Sequence, residues 1–360
     1  MNTYFDNNAT TPLHPLARQA WLRATDQHWH NPSSLYRHAG HTAQQLENAR
    51  ERLGNLLGAE PNRIVFTSGA TESNNMLFAA YHGRKTAISA IEHPSVRAPA
   101  HHHTHVTEIP VDAHGICQLQ IPHDAAIVSI QAANNESGVL QPWREAAAHC
   151  RKLGIPFHTD AAQWIGKLES THLGQCDYIT GSAHKFGGPK GCGFLVLRHE
   201  DEHIRFHHGG PQENGRRAGT ENYPAIEAMV TALENAHPQS PEPRDTFIHT
   251  ITSAFPHIRI ISAGAPRLWN TVLMVMPAHD NLKWLIRLSR RGFSISTGSA
   301  CSSGREGSSI VVTALGASPT ELKRVVRISS GWHTTAADWQ ALTTAFQEVS
   351  HELDTGGPGA

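Results

Sequence analysis

At 360 residues the chain exceeds what one simple core usually serves, so two domains, or one large domain with a satellite, are expected. A formal net charge of -1 with 17% charged residues offers neither a basic field for nucleic acid nor an acidic tail, which leaves small molecules and proteins as partners. No apolar run is long enough to span a bilayer, and Met1 to Asp6 lacks the regions of a signal peptide, so a cytoplasmic protein is expected.

From about residue 63 short β-branched runs alternate with amphipathic stretches. Ile64-Val65-Phe66 precedes a helical segment from Thr71 to Tyr81, Ala87-Ile88-Ser89 precedes Pro94 to His102, and Ile127 to Ile130 precedes Trp143 to Leu153. Ile155 to His158, Tyr178 to Thr180 and Phe194 to Leu197 continue the strands, so a mostly parallel sheet covered on both faces is predicted. His101, His102, His103 and His105 lie between a helical segment and the alternating run Val106 to Val111, and read as a solvated turn rather than a metal site. The proline-rich stretch His237 to Pro243 marks a domain boundary. Beyond it a smaller α/β unit is expected, with strands near Arg259 to Ile261 and Val272 to Met276. Its helices are placed near Asn281 to Arg290 and Ala336 to Leu353, followed by a disordered end from Thr355.

Polar residues gather at or just beyond the strand ends, where open α/β sheets bind ligands. Lys185 sits in Ser182-Ala183-His184-Lys185-Phe186-Gly187-Gly188. A lysine between a strand and a small-residue turn fits a nucleophile that forms a Schiff base with pyridoxal phosphate (PLP), and equally an ordinary loop lysine. Asp160 follows a buried-type strand and would need a cation such as a pyridinium nitrogen, unless it caps a helix. The turn Thr67 to Asn74 offers free N–H groups to an anion, or an ordinary cap. His93 is placed to stack on a ring or move protons, and Asn135 to bind a ring oxygen and a carboxylate, although both also suit turns. Arg327 interrupts a β-branched run and is aimed either at solvent or at a substrate carboxylate. The five cysteines are scattered without a CxxC pair, as reduced thiols would be. Cys301 alone lies in a polar, glycine-bearing segment, where a thiol suits reactivity.

Taken together, Tyr4 to Pro12, Thr67 to Asn75, Asn134 to Gly138, Asp160 to Gln163, Ser182 to Gly191, Arg217 to Asn222 and Gly298 to Cys301 resemble the PLP-dependent cysteine desulfurases of the NifS/IscS type, in the class V aminotransferase group. The resemblance implies a PLP-dependent transferase of fold type I. Its large domain, residues 14–237, would carry a mostly parallel seven-stranded sheet. Its small α/β domain would join residues 1–13 to 238–360 and bear the catalytic cysteine. Lys185 would carry the cofactor, Asp160 pair the ring nitrogen, His93 stack on the ring and Gln163 contact the phenolic oxygen. Ala70, Thr71, Ser182 and His184 would hold the phosphate, Thr220 would reach the partner subunit's phosphate, and Asn135 with Arg327 would hold the substrate carboxylate.

The implied reaction converts L-cysteine to L-alanine in a homodimer with shared sites. It leaves a persulfide on Cys301 for an acceptor protein whose identity the sequence does not give. A selenocysteine lyase, another class V member, or a scaffold that binds a sulfur acceptor without turnover are the alternatives. Two departures from the family pattern stand out. Arg305-Glu306-Gly307 replaces the usual leucine-glutamate-proline, which implies a more mobile, more polar loop, and Pro211 stands where a third glycine is common. The short stretch after the final helix leaves an iron–sulfur partner open.

Overall fold

The structure is a computed structural model that describes residues 3–201, 204–298 and 309–355. The chain opens with β1 (Thr3–Tyr4), α1 (Pro15–Gln27) and α2 (Arg37–Leu57). Strands and helices then alternate through β2 (Ile64–Thr67), α3 (Ala70–Ala80), β3 (Lys85–Ser89), α4 (Pro94–His103), β4 (His105–Ile109), β5 (Ile127–Ser129), α5 (Trp143–Leu153), β6 (Phe157–Asp160), β7 (Tyr178–Ser182) and β8 (Gly193–Val196). The last third holds α6 (Tyr223–Glu234), α7 (Glu242–Ala254), β9 (Arg259–Ile260), β10 (Thr271–Val275), α8 (Asn281–Arg290), β11 (Phe293–Ser294), α9 (Ile310–Ala314), α10 (Pro319–Leu322), β12 (Val325–Ser329) and α11 (Ala336–Thr355).

Seven strands form one sheet in the order β2-β8-β7-β6-β5-β3-β4, in which β8 alone runs antiparallel to its neighbours. The expected mostly parallel sheet is therefore present. Its central strands are buried on both faces, and strand alternation sorts their side chains into separate cores. Phe66, Val128, Ile179 and Phe194 face a core shared with α2, α5 and α6. Val65, Ile127, Tyr178 and Leu195 face Met76 and Leu77 of α3 on the other side. Helix α5 shows why its stretch reads as a helix: Trp143, Ala146, Ala147 and Cys150 form its buried stripe, and Gly154 ends it at φ 69°.

A second core lies under the antiparallel sheet β12-β10-β9, where Val272, Met274, Val326 and Ile328 meet Phe247, Trp284, Trp339 and Phe346. Phe5 joins this core, and β1 pairs in parallel with β11. The N-terminal segment thus crosses from the second core to the edge of the large sheet, a route that places Asp6 to Ala9 between the two.

Three local expectations need correcting. The proline-rich boundary is partly helical, because Pro243 falls in the first turn of α7, where its missing N–H costs nothing. The histidines 101–103 form the last turn of α4 rather than a turn beyond it. Helices α1, α2 and α6, absent from the sequence reading, pack together over one face of the sheet. The end from Gly356 lies outside the described residues.

Candidate active site

The strands β2, β3, β5, β6 and β7 end on one edge of the sheet, and the loops that leave them enclose a cavity of about 520 Å³. Ala70, Thr71, His93, Asn135, Asp160, Gln163, Ser182, His184, Lys185 and Arg327 all line it. Thr220 lies elsewhere, in an adjacent hollow with Arg217 and Glu221. Cys301 and Arg305 to Gly307 lie outside the described residues.

One end of the cavity is built for an anion. Ala70, Thr71 and Glu72 are the first residues of α3, whose N–H groups lie beyond the reach of helix carbonyls, and the cap residue Gly69 supplies no side chain to them. Gly69 adopts φ 149°, and a Cβ added to Gly193 would stand 2.6 Å from its Cα, so glycine on β8 lets this turn settle against the sheet. Ser182 and His184 approach the same end from β7. Burial, with the charges of Lys185, Lys190 and Lys167 adding to it, pushes the His184 imidazole down to about 4, while its Nδ1 lies 3.1 Å from Thr10 Oγ1. A neutral His184 adds a hydrogen-bonding group to this end without adding to the charge of the lysines beside it.

The other end holds a buried carboxylate. Asp160 is 6% exposed, and its oxygens accept from neutral donors: Asn74 Nδ2 at 3.0 Å and the Ala162 N–H at 3.0 Å. The bond to Ala162 is the turn-capping role open from sequence, but no α-helix follows, so capping does not account for the burial. Asn74 Nδ2 also donates to Ser95 Oγ at 3.0 Å, and Ser95 lies 2.8 Å from His93 Nδ1 through Oγ. The Ser95 N–H also donates to that nitrogen at 3.1 Å, which makes Nδ1 an acceptor and places the imidazole proton on Nε2. Burial lowers the basicity of His93, Asp160 opposes this and Lys185 adds to it.

Lys185 Nζ donates to the carbonyl oxygens of Asn8 at 2.6 Å and Ala9 at 2.9 Å. These carbonyls belong to the N-terminal segment, so the lysine is oriented from a part of the chain far away in sequence. Arg327, on β12, reaches the cavity fully buried and donates to Asp6 Oδ1 at 2.7 Å and to the Asn135 carbonyl at 3.0 Å. The solvent-facing alternative for Arg327 is thereby removed. Its Nε has no partner among the described residues.

Sequence reasoning missed several residues around this cavity. Asn8 and Asn74 lie within quoted motifs, but only the fold shows what they touch. Glu92, next to His93, is buried; burial, with the Asp160 charge adding to it, holds its carboxyl well above the usual carboxylate range. His158 points from β6 between Ser129 Oγ at 2.8 Å and Thr180 Oγ1 at 3.0 Å, and burial pushes its imidazole down to about 4 against an ordinary 6.5.

His158 and His184 make stability acid-sensitive. Unfolded, each imidazole takes a proton near 6.5, whereas in the fold each resists until about 4. Their stabilising contribution is therefore complete above the unfolded value and is lost as pH falls towards the folded one, by roughly 1.4 kcal/mol per pH unit for each. Urea midpoints measured at neutral pH and near pH 5 should fall less steeply for His158→Gln than for wild type. Equal slopes would show that His158 does not titrate in this way.

The sequence matches the Aminotransferase class-V family over residues 3–342. It is 36% identical over 379 residues to the cysteine desulfurase of Enterobacter agglomerans, covering 99% of this chain and 94% of that protein. The solved structure of a NifS-like protein aligns with TM-score 0.87 and 29% identity, over 98% of this chain and all 100% of the other. The structure described as SspA in complex with cysteine aligns with TM-score 0.81 and 29% identity, over 93% of this chain and 100% of that one.

Proposed function

The chain belongs to the class-V aminotransferase family, and we propose that it is a PLP-dependent cysteine desulfurase of fold type I, converting L-cysteine to L-alanine and passing the sulfur through Cys301 to an acceptor protein. The observation that carries this reading is the meeting in one cavity of a lysine, an anion-binding helix end and a buried aspartate with only neutral donors. PLP fits this set, since its phosphate matches the α3 turn with Ser182 and His184, and its pyridinium nitrogen would give Asp160 the cation that the burial demands. Bound there, the cofactor would supply an electron-accepting ring that makes the α-proton of an amino acid removable.

The protein's own groups do the rest. Asn135 and Arg327 hold the substrate carboxylate, with Asp6 fixing the plane of the guanidinium. With the cofactor bound, Lys185 would move the proton at the α-carbon, while His93, its imidazole proton on Nε2, would stack on the ring. The Cys301 thiolate bonds to the substrate sulfur as the carbon–sulfur bond breaks, the electron pair and a proton ending on the methyl carbon of alanine. Elimination among the cysteines supports this assignment. Cys117, Cys150, Cys176 and Cys192 are buried, and burial pushes Cys117, Cys150 and Cys192 up to about 12 and Cys176 further, so they stay protonated.

A homodimer with shared sites accounts for Thr220, which lies outside its own subunit's cavity and is free to serve the partner's phosphate. The two cores support a division into a large domain, 14–237, and a small one, 1–13 with 238–360. No described helix is long and apolar enough to cross a membrane, in keeping with a cytoplasmic enzyme. The test is direct: purified protein with PLP, L-cysteine and a reductant should yield alanine and sulfide in equal amounts. Absence of alanine would overturn the proposal in favour of a scaffold.

A further inference from the structure

Lys167 follows Gln163 by one turn of chain and is only 4% exposed. Its Nζ donates to Gln163 Oε1 at 2.6 Å and stands 3.4 Å from the Gln163 carbonyl oxygen. With Oε1 so engaged, the amide presents its nitrogen to the cavity side, where Nε2 donates to the Asn8 carbonyl at 2.9 Å and keeps a second N–H. The same carbonyl accepts from Lys185. Lys167 and Lys185 are thus joined through one amide and one backbone oxygen.

The charged and titratable groups around Lys167 are cations or imidazoles. Lys185, three residues beyond β7, and Arg327 on β12 act on it, and His14, His237 and Lys185 line with it a hollow of about 30 Å³. No carboxylate pairs with Lys167 among the described residues. Burial, with Lys185 and Arg327 adding to it, holds its amine well below the usual lysine range. An uncharged amine in such a place contributes no ion pair; what remains is the N–H that it donates to Gln163 Oε1.

We propose that Lys167 is a positioning residue that locks the Gln163 amide with its N–H end towards the cavity, so that the wall offers a donor, not an acceptor, to the cofactor's phenolic oxygen. The inference rests on the reading of the site as a PLP site. A donor there stabilises the anionic form of that oxygen and lowers the basicity of the group conjugated to it. Without Lys167 the amide loses the donor that engages its oxygen, and only the Asn8 carbonyl is left to hold its nitrogen.

The test is a pH titration of the visible absorption band of the PLP-loaded protein, in wild type, Lys167→Met, Gln163→Ala and the double variant. Methionine fills the same volume without a donor. The expected result is a midpoint raised by about one pH unit in each single variant, with no further rise in the double variant, the signature of two residues acting through one contact. A Lys167→Met protein that binds PLP with an unchanged midpoint, or a double variant that shows the sum of two shifts, overturns the proposal. Should Lys167→Met fail to fold, Lys167→Gln, which retains a donor, is expected to titrate nearer to wild type than Gln163→Ala does; a midpoint equal to that of Gln163→Ala overturns the role. A wild-type protein that shows no visible band with PLP overturns the cofactor reading itself, an outcome distinct from an unshifted variant.

Discussion

Replacing Lys185 with alanine is expected to abolish alanine formation from L-cysteine, a loss of about 10⁴-fold or more, because in the proposed reaction one side chain serves both as the covalent anchor and as the proton carrier at the α-carbon. The structure gives the second role a physical basis. Nζ is oriented by the carbonyls of Asn8 and Ala9, whereas the amine of Lys167 is engaged by Gln163. Borohydride should fix PLP covalently to wild type and leave none on the variant. The anion end and Asp160 remain intact in Lys185→Ala, so the variant should still retain PLP by equilibrium dialysis, only without the linkage. Turnover within tenfold of wild type would remove Lys185 from the reaction.

Cys301→Ser is expected to divide the reaction instead of erasing the site. Serine keeps the size and polarity of the position but is far less nucleophilic near neutral pH, so sulfide release should fall by a factor on the order of 10³ while the visible absorption of the bound cofactor is unchanged. The buried cysteines cannot replace it, with thiols pushed up to about 12 or beyond. Equal sulfide from wild type and variant would sink the assignment. Mass spectrometry after one turnover, with an added sulfur atom on the peptide containing Cys301, checks the same step by a separate route.

Much of this site could be read in the sequence because its residues lie beside strand ends, and strand ends are legible. Asp160, Ser182 and Lys185 follow β-branched or apolar runs, and His93 and Asn135 follow others. Parallel strands buried on both faces write themselves as short continuous apolar stretches, and the turn after each one is where chemistry can be placed. The helices that went unread failed for the opposite reason. Helix α2 hides its buried stripe, Leu46, Ala49, Leu53 and Leu57, among arginines, glutamines and glutamates. Arg50 within it is buried too, donating to both oxygens of Glu213.

What the sequence determined by itself was the list of reactive groups and the sheet that would present them, since both depend on residue type and short-range pattern. It could not determine partners. Asp6 reaches Arg327 across 321 positions, Lys185 reaches Asn8 across 177, and Asn74 reaches Asp160 across 86. Lys167 lies four positions from Gln163, yet its meaning too came only from tertiary structure: a lysine reads as a surface charge until its surroundings show burial without an anion. Hydrogen-bond direction and dielectric environment are set by what packs around a group, and neighbours distant in the chain leave no local pattern to read.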